Sequence, residues 1–100
     1  MAKKVDGVIE AVRYKNGLIL MARAYERRGA AFSDWVLLDR KALLDRLQKG
    51  RVFVTGQREV FKAGTFKVGK AVVIVQQNGR EWIATRPDVS HDEIEEALVF

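Results

Sequence analysis

The chain contains no cysteine, one histidine and one proline. Without cysteine there is no disulfide, no thiolate nucleophile and no cysteine-ligated zinc, which agrees with a reducing compartment. The lone histidine, His91, is thin support for a metal site, which needs further ligands such as Asp92 or Glu95. Its position just after Ser90 reads as a solvated first-turn residue. Long apolar runs are also missing. No stretch approaches the roughly 18 apolar residues that suggest a bilayer-spanning helix. The opening residues MAKKVDGVIE reach Asp6 and Glu10 without the apolar segment of a signal peptide. The expected location is the cytoplasm.

Signatures of catalysis are equally sparse. Ser33, Asp34 and His91 nominally supply a triad, but no G-x-S-x-G elbow surrounds Ser33. Glu10 and Glu81 are candidates for an acid–base pair, yet each fits equally well as a partner for a neighbouring cation across a sheet. GTFKVGKA, residues 64–71, has the spacing of a phosphate-binding loop. It lacks the following Ser or Thr, and it runs into the strand-like VVIV instead of a helix whose N-terminus would hold phosphate. The expectation is a protein that is not an enzyme, with no catalytic residues, no cofactor and no metal.

What is present is a chain of 100 residues, 48% apolar and 31% charged, with a net charge of +5. That length and balance fit one folded domain over residues 1–100. The charge is uneven. Residues 1–70 hold 16 Lys and Arg against 7 Asp and Glu, a balance of +9, and residues 71–100 hold 2 against 6, a balance of −4. The basic excess could steer a polyanion, or the acidic tail could match the basic body internally.

Two Asn-Gly pairs, Asn16-Gly17 and Asn78-Gly79, separate runs rich in β-branched and aromatic residues. This predicts two tight hairpins, because both residue types tolerate positive φ. WVLLD, residues 35–39, predicts a short strand, with Trp35 capping the core and Asp39 capping the following helix. RKALLDRLQK, residues 40–49, predicts that helix, with Leu43, Leu44 and Leu47 as its apolar stripe and Gly50 at its end. A strand follows over 51–56. Pro87 bounds the last strand. Ser90 and Glu93 then form a capping box, and Val89 and Ile94 a hydrophobic staple, predicting a second short helix near 91–98 docked on the sheet.

Together these elements predict a mainly β protein with two short helices (α+β). The hairpins and the missing βαβ repeat favour antiparallel pairing, in a small, partly open SH3-like barrel or a strongly bent sheet.

RAYERRGAAFSDW, residues 23–35, packs three arginines and three aromatics around one glycine. Arginines fork onto phosphates and exposed rings stack on unpaired bases. The candidate contacts are Arg23, Arg27 and Arg28 with Lys62, Lys67 and Lys70 for the backbone, and Tyr25 or Phe32 for stacking. The bland alternative is that Tyr25 and Phe32 belong to the core, with the arginines paired to Glu26 and Asp34. No second helix follows residues 40–49 to make a helix-turn-helix. The expected function is therefore a small basic domain binding RNA or single strands in preference to duplex. The alternative is a protein-interaction or assembly module, in which the strand edge at 51–55 or the apolar ALVF at 97–100 meets a protein partner or a second copy. No membrane partner is expected.

Overall fold

A computed structural model describes residues 5–28, 31–32, 35–58, 66–77, 79–95 and 97–100; the side chains at 28, 31, 32, 57, 58 and 66–68 lie outside that description. The first hairpin joins β1 (Gly7–Lys15) to β2 (Leu18–Arg28). Asn16 and Gly17 both hold positive φ, at 55° and 77°, the geometry a two-residue turn needs to match the twist of its strands. β3 (Ala31–Phe32) pairs with the far end of β2, and β4 (Val36–Asp39) with its middle.

The helix α1 (Arg40–Gln48) forms as its sequence predicts. The Asp39 carboxylate accepts the Ala42 amide at 2.7 Å. At the other end Gly50 takes a φ of 82°. The amides of Gly50 and Arg51 then close onto the carbonyls of Leu47 and Arg46, which satisfies groups the helix end would otherwise leave open. Leu43 is fully buried, with Leu44 and Leu47 packed beside it.

β5 (Phe53–Arg58) returns alongside β1, and β6 (Phe66–Gln77) and β7 (Arg80–Ala84) complete the sheet. The second hairpin is confirmed by the pairing of Gln77 with Arg80 and by Gly79 at a φ of 77°; Asn78 lies outside the described residues. The strand order is β3-β2-β1-β5-β6-β7, with β4 also on β2 and β8 (Leu98–Val99) on β1. Ile9, Val12, Ala22, Leu38, Leu43, Phe53, Val72, Ile83 and Ile94 form the core.

Three expectations are corrected. The sheet is open, neither a closed SH3-like barrel nor a strongly bent sheet: its hydrogen-bonded order runs from β3 to β7 without closing, and the molecule measures 42 × 32 × 20 Å. Pairing is not purely antiparallel either. β5 lies parallel to β1, from Gly7 opposite Phe53 to Ile9 opposite Thr55, and β8 is also parallel to β1. The unit β4–α1–β5 is a single crossover between like-directed strands. One crossover leaves no repeat in a sequence, so the missing βαβ period could not exclude it.

The third correction is the C-terminal helix, which does not form; α1 is the only helix among the described residues. The amides of residues 92–95 are claimed from elsewhere. Asp92 donates to Gly17, Glu93 to Ile83, Ile94 to the Tyr14 hydroxyl and Glu95 to the Thr85 hydroxyl. A helix this short is marginal alone, and four tertiary bonds displace it. Val89 and Ile94 are both buried, but they reach the core from irregular, bent chain and not as a helix staple.

Candidate functional site

Two constellations stand out, one holding the fold together and one lying on the face of the sheet. The first is centred on Asp92, whose side chain is fully buried. One carboxylate oxygen accepts the Ile19 amide at 2.8 Å and Arg40 Nε at 2.7 Å. The other accepts the Ile83 amide at 2.9 Å and Arg40 Nη2 at 3.3 Å. The same Arg40 Nη2 donates to the Glu81 carbonyl at 2.6 Å. A buried carboxylate is tolerated only when its lone pairs are taken up in this way. β2 and β7 do not pair with each other, so this side chain joins strands that no ladder connects. It also occupies the Ile83 amide on the outer edge of β7, where an exposed edge would invite foreign strands.

The acidic tail matches the basic body at one further point and pairs within itself at another. Lys70 pairs with Glu95, and Arg86 grips both oxygens of Glu93 at 3.0 and 2.9 Å. The Lys70 hydrogen bond holds the Glu95 carboxyl below its ordinary range against the opposing effect of burial. Bonding to Glu93 raises the Arg86 guanidinium in turn.

The second constellation lies on the face of the sheet. Leu37 of β4 sits opposite Arg23 of β2, Arg23 opposite Ala11 of β1, and Ala11 opposite Leu98 of β8. Directly opposed residues share a face, so these four form one row across four strands. Arg23 lies over two rings, 5.3 Å from the centroid of Trp35 and 5.0 Å from that of Phe100. Arg13 covers Phe100 as well, at 4.8 Å, and its Nε donates to the Phe100 carbonyl at 2.8 Å. The order Trp35, Arg23, Phe100, Arg13 alternates rings with guanidinium groups. Arg23 also stands 3.5 Å from Glu10, and its own Nε is buried with no hydrogen-bond partner among the described residues. Around this stack Trp35 is 53% exposed, Leu37 50% and Leu98 56%. The expectation that Trp35 caps the core is therefore wrong. Its neighbour Val36 packs against the core instead.

The predicted contact residues are not gathered in one place. Arg23 belongs to the stack just described. Tyr25 is buried, with its hydroxyl 3.4 Å from Glu10, so its ring is not a free stacking platform. Arg27 donates through Nε to the Val5 carbonyl at 2.6 Å and lines a cleft beside α1. Lys70 is bound to Glu95. Arg28 and Phe32 lie on β2 and β3 and Lys67 on β6, with their side chains outside the described residues, as is all of Lys62. Sequence reasoning passed over Arg13, Trp35 and Phe100 as members of one surface. Only pairing across four strands assembles them, and no spacing along the chain signals it.

The chemical alternatives fare as follows. Gly69, Lys70 and Ala71 are in β6, and the Lys70 amide donates to Thr55 Oγ1 at 2.9 Å, so no helix end follows to cradle phosphate. Gly64, Ser33 and Asp34 lie outside the described residues. His91 is exposed, 3.4 Å from Glu93, and no cluster of three or more metal-ligating groups occurs among the described residues. Glu10 is engaged by Arg23, the balancing role foreseen for it, and by Tyr25; Glu81 meets the neutral amide of Gln48 on α1 at 3.4 Å, not a cation across the sheet. No described helix is long and apolar enough to cross a membrane. No family model matches the chain, and neither a curated protein nor a solved structure matches it.

Proposed function

We propose that this domain is an assembly module that pairs with a second copy of itself through the sheet face carrying Trp35, Leu37 and Leu98. The carrying observation is the contiguous row Leu37–Arg23–Ala11–Leu98, with half-exposed apolar side chains at both ends. Scattered exposed leucines are ordinary, whereas exposed apolar side chains sharing one sheet face with an aromatic and an arginine suit an interaction surface. Sheets pack face to face when each offers an apolar face.

A second copy is favoured over an unrelated partner by the alternation of rings and guanidinium groups. A two-fold interface must be self-complementary. This surface carries both halves of a cation–π pair, so the arginine of one copy can lie on a ring of the other. The nucleic-acid expectation has less support, because Arg23 and Lys70 have internal partners and Tyr25 is buried.

Sedimentation equilibrium across a concentration series tests the proposal. The wild-type chain is expected to approach twice its monomer mass. Leu37→Glu and Leu98→Glu are each expected to weaken pairing about tenfold or more, or 1.4 kcal/mol. Folding is checked by circular dichroism. A monomer mass at every concentration would overturn the proposal.

A further inference from the structure

Between the end of β2 and the last turns of α1 lies a cleft of about 320 Å³ lined by Glu26, Arg27, Asp45, Arg46, Lys49 and Arg51. All six residues are charged. Four cations against two carboxylates leave a net charge of +2. Three of the four cations are held in place from within. Arg46 Nε meets Glu26 at 2.6 Å, Lys49 Nζ meets Asp45 at 3.1 Å, and Arg27 Nε is fixed on the Val5 carbonyl. Arg51 is exposed and its guanidinium makes no bond among the described residues.

We propose that this cleft binds a phosphate group, with Arg51 as its principal ligand and Arg27, Arg46 and Lys49 supplying the surrounding positive charge. A net charge of +2 matches a phosphate dianion better than a single carboxylate. Guanidinium groups present planar pairs of donors that suit its tetrahedral oxygens. A helix C-terminus ordinarily repels anions through its open carbonyls. Here the Leu47 and Arg46 carbonyls are closed by the Gly50 and Arg51 amides, which blunts that repulsion. The cleft shares no residue with the Trp35 surface, so it stands or falls independently of self-association.

Two sources supply this chemistry, a small phosphomonoester or the phosphodiester backbone of a single strand. The test is an amide-detected NMR titration of the whole chain, with inorganic phosphate in one arm and a mixed-sequence single-stranded oligonucleotide in the other. Inorganic phosphate is expected to produce saturable shifts at the amides of Lys49 and Arg51. Arg51→Ala is expected to weaken binding about tenfold, while Lys41→Ala, on α1 but outside the cleft, leaves it unchanged. An oligonucleotide that binds more tightly than phosphate and depends on Arg51 identifies the phosphodiester source. Binding of phosphate alone identifies the small ligand. The proposal is overturned if neither probe gives saturable shifts at the cleft, or if Arg51→Ala and Lys41→Ala weaken binding equally.

Discussion

Arg40 and Asp92, 52 residues apart in sequence, meet at 2.7 Å with the carboxylate fully buried. The pair links the first residue of α1, the start of β2 and the outer edge of β7. Asp92→Ala would strand the amides of Ile19 and Ile83 and leave the Arg40 guanidinium unpaired. Removing one member of a buried ion pair costs about 3–5 kcal/mol. Urea denaturation should show a loss on that scale for Asp92→Ala. Arg40→Met should also destabilise, by stranding the carboxylate and freeing the Glu81 carbonyl. The double variant should lose less than the two single losses combined, as expected for residues in one network. Simple additivity would show that the pair is not coupled.

Both helix-start signals in the sequence have the right chemistry, but only Asp39 caps a helix. Asp39→Ala is expected to cost about 0.5–2 kcal/mol. Ser90→Ala should stay within about 0.5 kcal/mol, the usual range for an exposed position without special contacts. The same denaturation series compares them. A larger loss at Ser90 than at Asp39 would contradict the assignment.

This contrast marks what could be read from the chain. The Asn16-Gly17 turn, the 40–48 helix and its Gly50 end were legible because each depends on residues close in sequence. The β4–α1–β5 crossover and the non-helical 89–95 segment were not. They are decided by partners such as Tyr14, Gly17 and Ile83 that local pattern cannot bring together. The candidate site was less legible still. Arg23 stands out in the sequence for its neighbours along the chain, yet what defines its surroundings is Phe100, Glu10 and Trp35, all three of them outside β2.

Gly7 lies against the ring of Phe53. A Cβ added there would approach three ring carbons at 2.4 to 2.7 Å, and Phe53 is itself buried in the core. Gly7→Ala is therefore expected to overpack the β1–β5 contact and cost about 1–3 kcal/mol. Thermal unfolding measures it, and an unchanged midpoint would mean that the ring moves aside freely.

Tyr14 titrates above its ordinary value of 10.0, chiefly because burial disfavours the phenolate; accepting the Ile94 amide partly opposes this. The raised value makes its contribution complete below the unfolded pKa, near 10.0, and lost as pH climbs from there through the folded pKa. Stability should thus fall in that alkaline window. Tyr14→Phe should remove this component while weakening the protein at neutral pH, since the Ile94 amide loses its acceptor. Denaturation curves at neutral and alkaline pH, with tyrosine ionisation followed by ultraviolet absorbance, separate the two effects. An identical alkaline loss in the variant would assign it elsewhere.

Self-association through the Trp35 face is tested most directly by isotope-filtered NMR on a mixture of labelled and unlabelled chains. Only contacts between different molecules then give cross-peaks. Intermolecular cross-peaks are expected from the Trp35 ring and the methyl groups of Leu37 and Leu98, with their loss in Leu98→Glu. Cross-peaks confined to other surfaces, or none in a sample concentrated enough for a dimer to form, would contradict it.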